Sequence, residues 1–496
     1  MAGVTLVDHR SGRNGHGAPP HGDEPTTLYA KRKQIYPQLA FGRFRSAKWI
    51  LLSLFLGVYY LLPWLRWDRG PDAPNQAVLA DFSAGRFYFF GLEIWPQEVY
   101  YITGLLILAA VGLFLVTAVF GRVWCGYACP QTIWTDLFLV VERFFEGDRN
   151  ARMRLDKAPW TAAKAARKIS KHAVWILIAF ATGGAFILYW HDAPNLARTF
   201  FIGQAPMTAY VFAALLTFTT YSLAGTMREQ VCTYMCPWPR IQSALIDRNT
   251  LAVTYRSDRG EPRGPHKKGE PWEGRGDCID CHQCVVVCPM GIDIRNGSQL
   301  ECIGCALCID ACTGIMKKVG RPTGLIAYDT DDNVAARSLK QTPAPFRLLR
   351  PRVIVYALVF AITAGIMIVG LLTRPSFSVN VIKDRSLAFV MTSAGEVRQG
   401  YTLKLTNKQR STRTLDLSAE GLPGARIELV GEGKAASVAH ATAEPDGVDR
   451  YRILLTAPLA SLRSKPSVGM RFVVTDPVTG ERHATASVFS GPGAKR

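Results

Sequence analysis

The stretch C-I-D-C-H-Q-C-V-V-V-C-P, residues 278–289, decides how the middle of this chain folds. A second stretch, C-I-G-C-A-L-C-I-D-A-C at residues 302–312, repeats the cysteine spacing C-x2-C-x2-C-x3-C. The first copy ends in a proline, whereas Thr313 follows the last cysteine of the second copy. So many cysteines in so short a segment predict metal ligands rather than structural disulfides.

This doubled spacing is typical of bacterial ferredoxins that carry two clusters. Three closely spaced thiolates hold one cluster there, and the fourth thiolate reaches the other cluster. The spacing therefore predicts two [4Fe–4S] clusters with crossed ligand sets: Cys278, Cys281, Cys284 and Cys312 for cluster 1, and Cys302, Cys305, Cys308 and Cys288 for cluster 2. Zinc is disfavoured as the bound metal because eight ligands share this spacing.

The remaining four cysteines form a second motif, C-x-Y-x-C-P, which occurs at Cys125/Cys129 and again at Cys232/Cys236. The proline predicts that a helix begins directly after the second cysteine of each pair. The positive end of a helix favours thiolate, and thiolates select soft metals such as Cu(I). We therefore predict that these four cysteines form one copper or redox site. Packing residues, a dithiol–disulfide pair and a third metal centre are the alternatives.

Five apolar windows are long enough to cross a bilayer, which requires about 20 residues. They lie at residues 48–65, 100–120, 173–190, 207–225 and 353–373. Lys and Arg are dense before the first window and after the second, and sparse between the third and fourth. Because positive residues favour the cytoplasmic side, this alternation places the N-terminus and all twelve cysteines inside and the C-terminal segment outside.

The net charge of +19 therefore reflects membrane topology. Nucleic acid is excluded as a partner, because the basic residues are spread over the flanks of the spans instead of forming one basic domain. Within the membrane part, residues 130–146 are predicted to form an amphipathic helix along the cytoplasmic surface. Residues 376–490 show period-two runs such as Y-T-L-K-L-T-N and M-R-F-V-V-T-D, which predict a β-sandwich.

The predicted fold is thus a polytopic α-helical membrane protein with an inserted two-cluster ferredoxin-like module and a C-terminal all-β sandwich. In chain order it comprises a disordered cytoplasmic tail (1–30), a membrane domain with four spans (31–249), a linker (250–275), the ferredoxin-like module (276–320), a second linker (321–352), the fifth span (353–373) and an external β domain (374–496).

These motifs together resemble the CcoG (FixG/RdxA) family of cytochrome c oxidase accessory proteins, which are polyferredoxins of the bacterial inner membrane. The resemblance rests on L-Y-A-K-R-K-Q-I-Y-P at 28–37, G-R-F-R at 42–45, both cysteine motifs and Y-T-L-K-L-T-N-K at 401–408. It implies an inner-membrane location, an immunoglobulin-like fold for the periplasmic C-terminal domain and a role in maturing cbb3-type oxidase. The implied activity is reduction of Cu(II) to Cu(I) for the oxidase copper centre.

The resemblance implies oxidase-assembly or copper-transport proteins as partners and names no electron donor. Two other functions compete with copper reduction. One is a quinol-linked relay to a partner reductase, similar to NapH- and NosR-type membrane ferredoxins, in which C-x3-C-P pairs also occur. The other is a non-enzymatic assembly scaffold, in which the β domain would contact a partner outside the cytoplasm.

Overall fold

The computed structural model describes residues 34–70, 73–267, 269–384, 389–431, 434–462 and 465–492. The predicted tail at 1–30 lies outside these residues. The chain divides into two compact units, residues 1–364 and 365–496, and the division falls within one long helix.

The first unit is mainly helical, and the last of its helices continues into the second unit. The α-helices are α1 (Arg43–Leu61), α2 (Tyr100–Phe120), α3 (Val123–Tyr127), α4 (Pro130–Glu146), α5 (Arg149–Lys157), α6 (Ala162–Ile187), α7 (Ala193–Phe201), α8 (Met207–Thr220), α9 (Trp238–Leu245), α10 (Ser257–Gly260), α11 (Gln283–Val286), α12 (Leu307–Lys318), α13 (Asp331–Ser338) and α14 (Pro351–Leu372). Two π-helices are Tyr221–Met227 and Val231–Met235. Short 3-10 turns are Leu62–Trp64, Pro96–Glu98, Ile294–Asn296 and Leu459–Leu462.

Five helical segments among the described residues are long and apolar enough to cross a membrane. They are Arg43–Trp64, Pro96–Phe120, Ala162–Ile187, Met207–Met227 and Pro351–Leu372. Each overlaps one of the windows predicted from the sequence. The side of the membrane on which each loop lies stays a prediction.

Helix α4 forms over the predicted residues, and its position along the cytoplasmic surface stays a prediction. It packs antiparallel against α6, and Phe138 stacks on Trp175 with ring centroids 5.3 Å apart. Trp134 donates to the Thr182 hydroxyl over 2.9 Å. The polar side of α4 is also buried, because acidic residues on it pair with cations from neighbouring helices. The amphipathic pattern was correct, but charge pairing rather than water covers the polar face.

The strands form four sheets. They are β1 (Val78–Asp81), β2 (Arg86–Phe89), β3 (Leu92–Ile94), β4 (Ala252–Tyr255), β5 (Ile326–Asp329), β6 (Phe377–Lys383), β7 (Val390–Met391), β8 (Glu396–Asn407), β9 (Arg413–Glu420), β10 (Arg426–Leu429), β11 (Val438–Ala443), β12 (Val448–Pro458), β13 (Ser467–Thr475) and β14 (Arg482–Ser490). Strands β1 to β3 form a small sheet in the segment between α1 and α2.

The cysteine-rich module extends beyond its predicted limits of 276–320. Strands β4 and β5 pair antiparallel, and each lies in a segment predicted as a linker, 250–275 or 321–352. Val253 of β4 and Ile326 of β5 are buried in one apolar cluster with Cys278 and Cys284. Four-residue strands flanked by Gly, Pro and charged residues leave too short a periodic pattern to stand out in the sequence.

The second unit is a sandwich of two antiparallel sheets. One has the order β10-β12-β8-β6, with β7 also paired to β8, and the other has the order β11-β9-β13-β14. Alternate residues of β8, including Tyr401, Leu403 and Leu405, are fully buried between the sheets. Phe472 of β13 lies 5.0 Å from Tyr401, measured between ring centroids, across this core. The predicted β-sandwich is thus present in the structure.

Candidate metal centres

The crossed ligand sets stay a prediction, and the electrostatic neighbours of each cysteine show which thiols lie close together. Burial raises the pKa of Cys312 to about 12, and the charges of Cys284, Cys281 and Cys278 raise it further. Four cysteines of the first predicted set therefore lie together, although Cys312 is distant from the others in sequence.

The second set is brought together in the same way. Burial raises the pKa of Cys288 to about 12, with further contributions from Cys305 and Cys302. Burial likewise raises the pKa of Cys308, together with Cys305, Cys302, Cys288 and, from the first set, Cys284. Buried thiols of this kind ionise when they coordinate a metal, because the cation replaces the lost solvation.

Backbone groups around these sulfurs fit an iron–sulfur cluster. The N–H groups of Met290 and Ile292 donate to the Cys288 sulfur, and the N–H of Gly304 donates to the Cys302 sulfur. Such hydrogen bonds to ligand sulfurs tune cluster potentials. Gly304 has φ +67°, and a Cβ there would lie 3.1 Å from the backbone of Arg122. The donor atoms and the close backbone approach both suit a cluster.

Among the residues that the structure describes, no three His, Cys, Asp or Glu side chains converge tightly enough to hold a single metal ion. This holds for the ferredoxin-like sets, whose thiols would bind separate irons of a cluster. It also holds for Cys125, Cys129, Cys232 and Cys236. These four are nevertheless neighbours, because the charges of Cys129, Cys232 and Cys236 all affect the pKa of Cys125.

The first C-x-Y-x-C-P segment packs directly against the loop of the second cysteine set. A Cβ on Gly126 would lie 2.9 Å from both Cα and N of Cys305. The Tyr127 hydroxyl donates to the Cys305 carbonyl over 3.1 Å. Arg122 donates to the carbonyl groups of Leu300 and Cys302. Glycine is needed at residue 126 because any side chain would enter the cysteine loop.

The module is also tied to the first span. Asp310, between the last two cysteines, accepts hydrogen bonds from the N–H groups of Phe44 and Arg45 over 3.3 and 2.8 Å. These are among the free donors at the start of α1, so Asp310 acts as a cap supplied by another part of the chain. The module is therefore fixed to the helical part at two separate places.

Both motif cysteines nearest the module are half-buried. Cys125 and Cys232 pack on an apolar cluster that also contacts Cys305, Cys308 and Cys288. Burial raises the pKa of Cys125 and of Cys232 to about 12. At these two cysteines burial opposes the predicted preference for thiolate, because desolvation disfavours the charged form of a thiol.

The predicted helix starts are only partly found. Cys129 directly precedes α4, with Pro130 as its first residue. Cys236 instead ends the π-helix Val231–Met235, and α9 begins at Trp238. Cys125 donates a weak hydrogen bond to the side-chain oxygen of Gln242 over 3.4 Å. No sequence motif pointed to Gln242, which lies fully buried in α9.

Three regions of the chain match known protein families, and most of its length matches known proteins. Residues 227–331 match the 4Fe-4S dicluster domain, residues 102–146 a 4Fe-4S binding domain, and residues 367–492 the immunoglobulin-like fold at the C-terminus of FixG. The nitrogen fixation protein FixG of Rhizobium meliloti is 48% identical over 94% of this chain and 94% of its own length. Protein RdxA of Cereibacter sphaeroides is 49% identical over 88% of this chain and 91% of its own.

Protein RdxB of Cereibacter sphaeroides is 45% identical over 95% of this chain and 98% of its own length. The chain belongs to the FixG family. Its matches to 4Fe-4S domains also make it an iron–sulfur protein of the electron-transfer kind. The dicluster match includes β4 and β5, in agreement with the wider module described above.

A buried network of charged side chains in this FixG family member was not predicted from the sequence. Glu142 of α4 accepts a hydrogen bond from Arg152 over 2.8 Å and forms an ion pair with Arg228 at 2.9 Å. One turn further along α4, Glu146 forms an ion pair with Lys171 at 2.8 Å. Each residue alone resembles an ordinary surface charge in the sequence. Only the spacing of acidic residues along one face of α4 indicates that they share partners.

Proposed function

We propose that this protein holds two [4Fe–4S] clusters and reduces Cu(II) to Cu(I) at the four C-x-Y-x-C-P thiols. The observation that carries the proposal is the contact of Gly126 with the Cys305 backbone. It puts the loop of one cysteine set against the segment between Cys125 and Cys129. Electrons held in the module would then lie next to the thiol site.

The proposed ligands of cluster 1 are Cys278, Cys281, Cys284 and Cys312, and those of cluster 2 are Cys302, Cys305, Cys308 and Cys288. When bound, each cluster supplies a one-electron carrier. The mutual proximity of the cysteines within each set supports this assignment. Among all eight, only Cys281 is exposed, so cluster 2 would be the more enclosed of the two.

Copper is the substrate in this proposal. Cu(II) gains one electron and becomes Cu(I), which thiolate ligands favour. Cys125 and Cys232 would lose their protons on binding the metal, since a coordinating thiol is deprotonated.

The proposed setting is the bacterial inner membrane, with the module in the cytoplasm and the sandwich in the periplasm. The distribution of Lys and Arg supports this orientation. The proposed role is maturation of the copper centre of a cbb3-type oxidase, with oxidase-assembly or copper-transport proteins as partners. Family membership supports the role, and the scaffold function becomes secondary because the thiols adjoin the cluster module.

A third iron–sulfur cluster at the same four thiols is the second candidate. The match of residues 102–146 to a 4Fe-4S binding domain favours it, because that segment contains Cys125 and Cys129. The site would then extend an electron relay to a partner reductase. The two candidates differ in the number of irons and in the need for added copper.

Anaerobic metal analysis with EPR spectroscopy tests both candidates. We expect about eight irons per chain and binding of added Cu(I) for the reductase, against about twelve irons for a third cluster. Cys129→Ser and the double variant Cys129→Ser/Cys236→Ser should lower Cu(II) reduction to similar low levels, because both abolish one shared site. Both should keep the eight irons. Full reduction by the double variant would contradict a role for these thiols.

Thr233→Ala is the matched control, because Thr233 lies between Cys232 and Cys236 and is not proposed as a ligand. It should retain both copper binding and iron content. Replacing Cys281 with Ser should instead remove one cluster and disturb its neighbour. Protein that takes up zinc, or only two irons, would contradict the cluster assignment.

A further inference from the structure

A cleft of about 180 Å³ opens beside the second cysteine set, at the end of the apolar helix α2. Phe120, the last residue of α2, and Leu251 form part of an apolar wall. Cys302 also lines the cleft. Ser243 and Gln299 add polar groups. A ligand in this cleft would therefore touch a proposed cluster ligand and both apolar and polar side chains.

An apolar groove of about 730 Å³ shares a lining residue with the cleft. It runs between α2 and α14 and is lined by Leu115, Val119, Val353 and Leu358, among other apolar residues. The shared residue is Phe120, at the end of α2. The cleft offers hydrogen-bonding groups, whereas the groove offers only apolar contact.

The polar groups of the cleft and the apolar lining of the groove together fit a ligand with a small polar ring and a long apolar tail. We propose that the cleft binds the ring of a membrane hydroquinone, with its tail in the groove, and that this hydroquinone supplies the electrons. The inference rests on the proposed function, in which the cysteine set containing Cys302 holds a cluster. A lipid would match the tail, but it carries no electrons to the adjacent centre.

The electron count agrees with this donor. Oxidation of one hydroquinone to the quinone releases two electrons and two protons. Two one-electron carriers in the module match the two electrons. Asp331, the first residue of α13, also lines the cleft and can accept one of the two protons, while water accepts the other. Burial raises the pKa of Asp331, which suits a carboxylate in that role.

Another large pocket has no cysteine in its lining. It has a volume of about 600 Å³ and is lined by Phe186, Trp190 and His191, among other residues, at the end of α6. The cleft, in contrast, has Cys302 in its lining. Direct contact with a proposed cluster ligand therefore favours the smaller cleft as the electron-donating site.

Photolabelling of the full-length protein with a long-tailed azidoquinone tests the site without requiring activity. We expect labelled peptides from residues 243–251 and from α14. Ser243→Trp would fill the cleft and should weaken labelling roughly tenfold, since the ring loses its enclosed position. Ala357→Phe would narrow the groove and should weaken labelling by the long-tailed probe but not by a tailless one. Ser257→Trp and Ala361→Phe are matched controls outside both spaces.

The same variants are then tested with a reduced naphthoquinol as electron donor. Naphthoquinol-driven cluster reduction should fall in parallel with labelling in Ser243→Trp and stay unchanged in both controls. Labelling confined to the pocket at Trp190, or displaced equally well by a lipid without a ring, would overturn the proposal. So would labelling unaffected by either variant.

A comparison with dithionite separates this inference from the proposed function. If dithionite-reduced protein reduces Cu(II) but no quinone binds the cleft, the donor site is wrong and the reductase stands. If quinone labels the cleft but dithionite-reduced protein leaves Cu(II) unchanged, the reductase is wrong and the donor site stands.

Discussion

The two C-x-Y-x-C-P segments share a backbone turn but differ in what they contact. In the first, the Cys129 N–H donates to the Trp124 carbonyl over 2.9 Å. In the second, the Cys236 N–H donates to the Val231 carbonyl over 2.8 Å. Both bonds join residues five apart, which is the π-helical spacing. The repeated sequence therefore produces a repeated local structure around each pair of thiols.

The tyrosines between the cysteines have different environments. Tyr127 is 8% exposed and donates to Cys305, whereas Tyr234 is 62% exposed. Gly126 in the first copy corresponds to Thr233 in the second. Only the first copy could accept the cysteine loop at this position, because a side chain at residue 126 would collide with it. Of the two copies, the first is therefore the one that contacts the cysteine-rich module through this segment.

The second copy is held in place by an ion pair between Arg228 and Glu142. Arg228 lies where the first copy has Gly121, and both adopt positive φ, +42° and +60°. This conformation costs a residue with a side chain about 1–3 kcal/mol. The Arg228 side chain pairs with buried Glu142 and donates to the Gly225 carbonyl over 2.8 Å. These contacts explain why an arginine occupies a position suited to glycine.

Among the substitutions, Glu142→Gln should have the largest effect on stability. It should act on the second copy of the motif. It removes the negative partner of Arg152 and Arg228 while leaving both cations enclosed. Removing one partner of a buried pair costs about 3–5 kcal/mol. We expect a lower thermal midpoint in nanodiscs and weaker Cu(I) binding, with the iron content preserved. Phe144→Gln, at an exposed position of the same helix, is the control.

The same residue predicts a pH dependence. Burial alone would raise the pKa of Glu142, but Arg228, Arg152 and Lys171 lower it to about 2. A lowered pKa means that its contribution to stability is complete above about pH 4.5 and is lost as pH falls toward 2. Glu142→Gln should flatten this part of the stability curve. An equally steep acid loss in the variant would assign the effect to other carboxylates.

Gly126→Val should act mainly on the first copy. Its side chain would meet the Cys305 backbone, and overpacking of this kind costs about 1–3 kcal/mol. The cysteine loop would have to move, and a displacement of about 1 Å can slow a reaction by roughly 10²-fold. We expect slow Cu(II) reduction by dithionite-reduced protein that still holds its clusters. Stopped-flow absorbance measures both quantities.

Thr233→Val provides the control in the second copy, because it places the same valine at the position that corresponds to Gly126 while keeping the size of the side chain. It should leave the rate of copper reduction within about twofold, as expected of a substitution outside the docking contact. Equal slowing by both variants would mean that the two copies contribute equally to docking, and the comparison above would be wrong.

The sequence predicted elements whose pattern is long or whose ligands are chemically distinctive. Five apolar windows, the β-sandwich and the grouping of the ferredoxin-like cysteines follow from length, alternation and spacing. The strands β4 and β5 were missed because four residues establish no clear period. The burial of α4 could not be predicted, since the partners of Glu142 come from separate helices. The contact of Gly126 with Cys305 is likewise set by tertiary packing.

Tyr127→Phe should have the smallest effect and gives the cleanest comparison, because Tyr234→Phe makes the same chemical change in the second copy. In Tyr127→Phe the buried Cys305 carbonyl loses a hydrogen bond of 3.1 Å, a change that costs about 1 kcal/mol. We expect a slightly lower thermal midpoint and an altered EPR signal for cluster 2. Tyr234→Phe should change neither quantity, because its hydroxyl lies on an exposed side chain. If the EPR signal of cluster 1 changed instead, the first copy would not be docked on the set that contains Cys305. The effect of Tyr127→Phe should also shrink in a Gly126→Val background, because the displaced loop would no longer hold the carbonyl within reach of the hydroxyl.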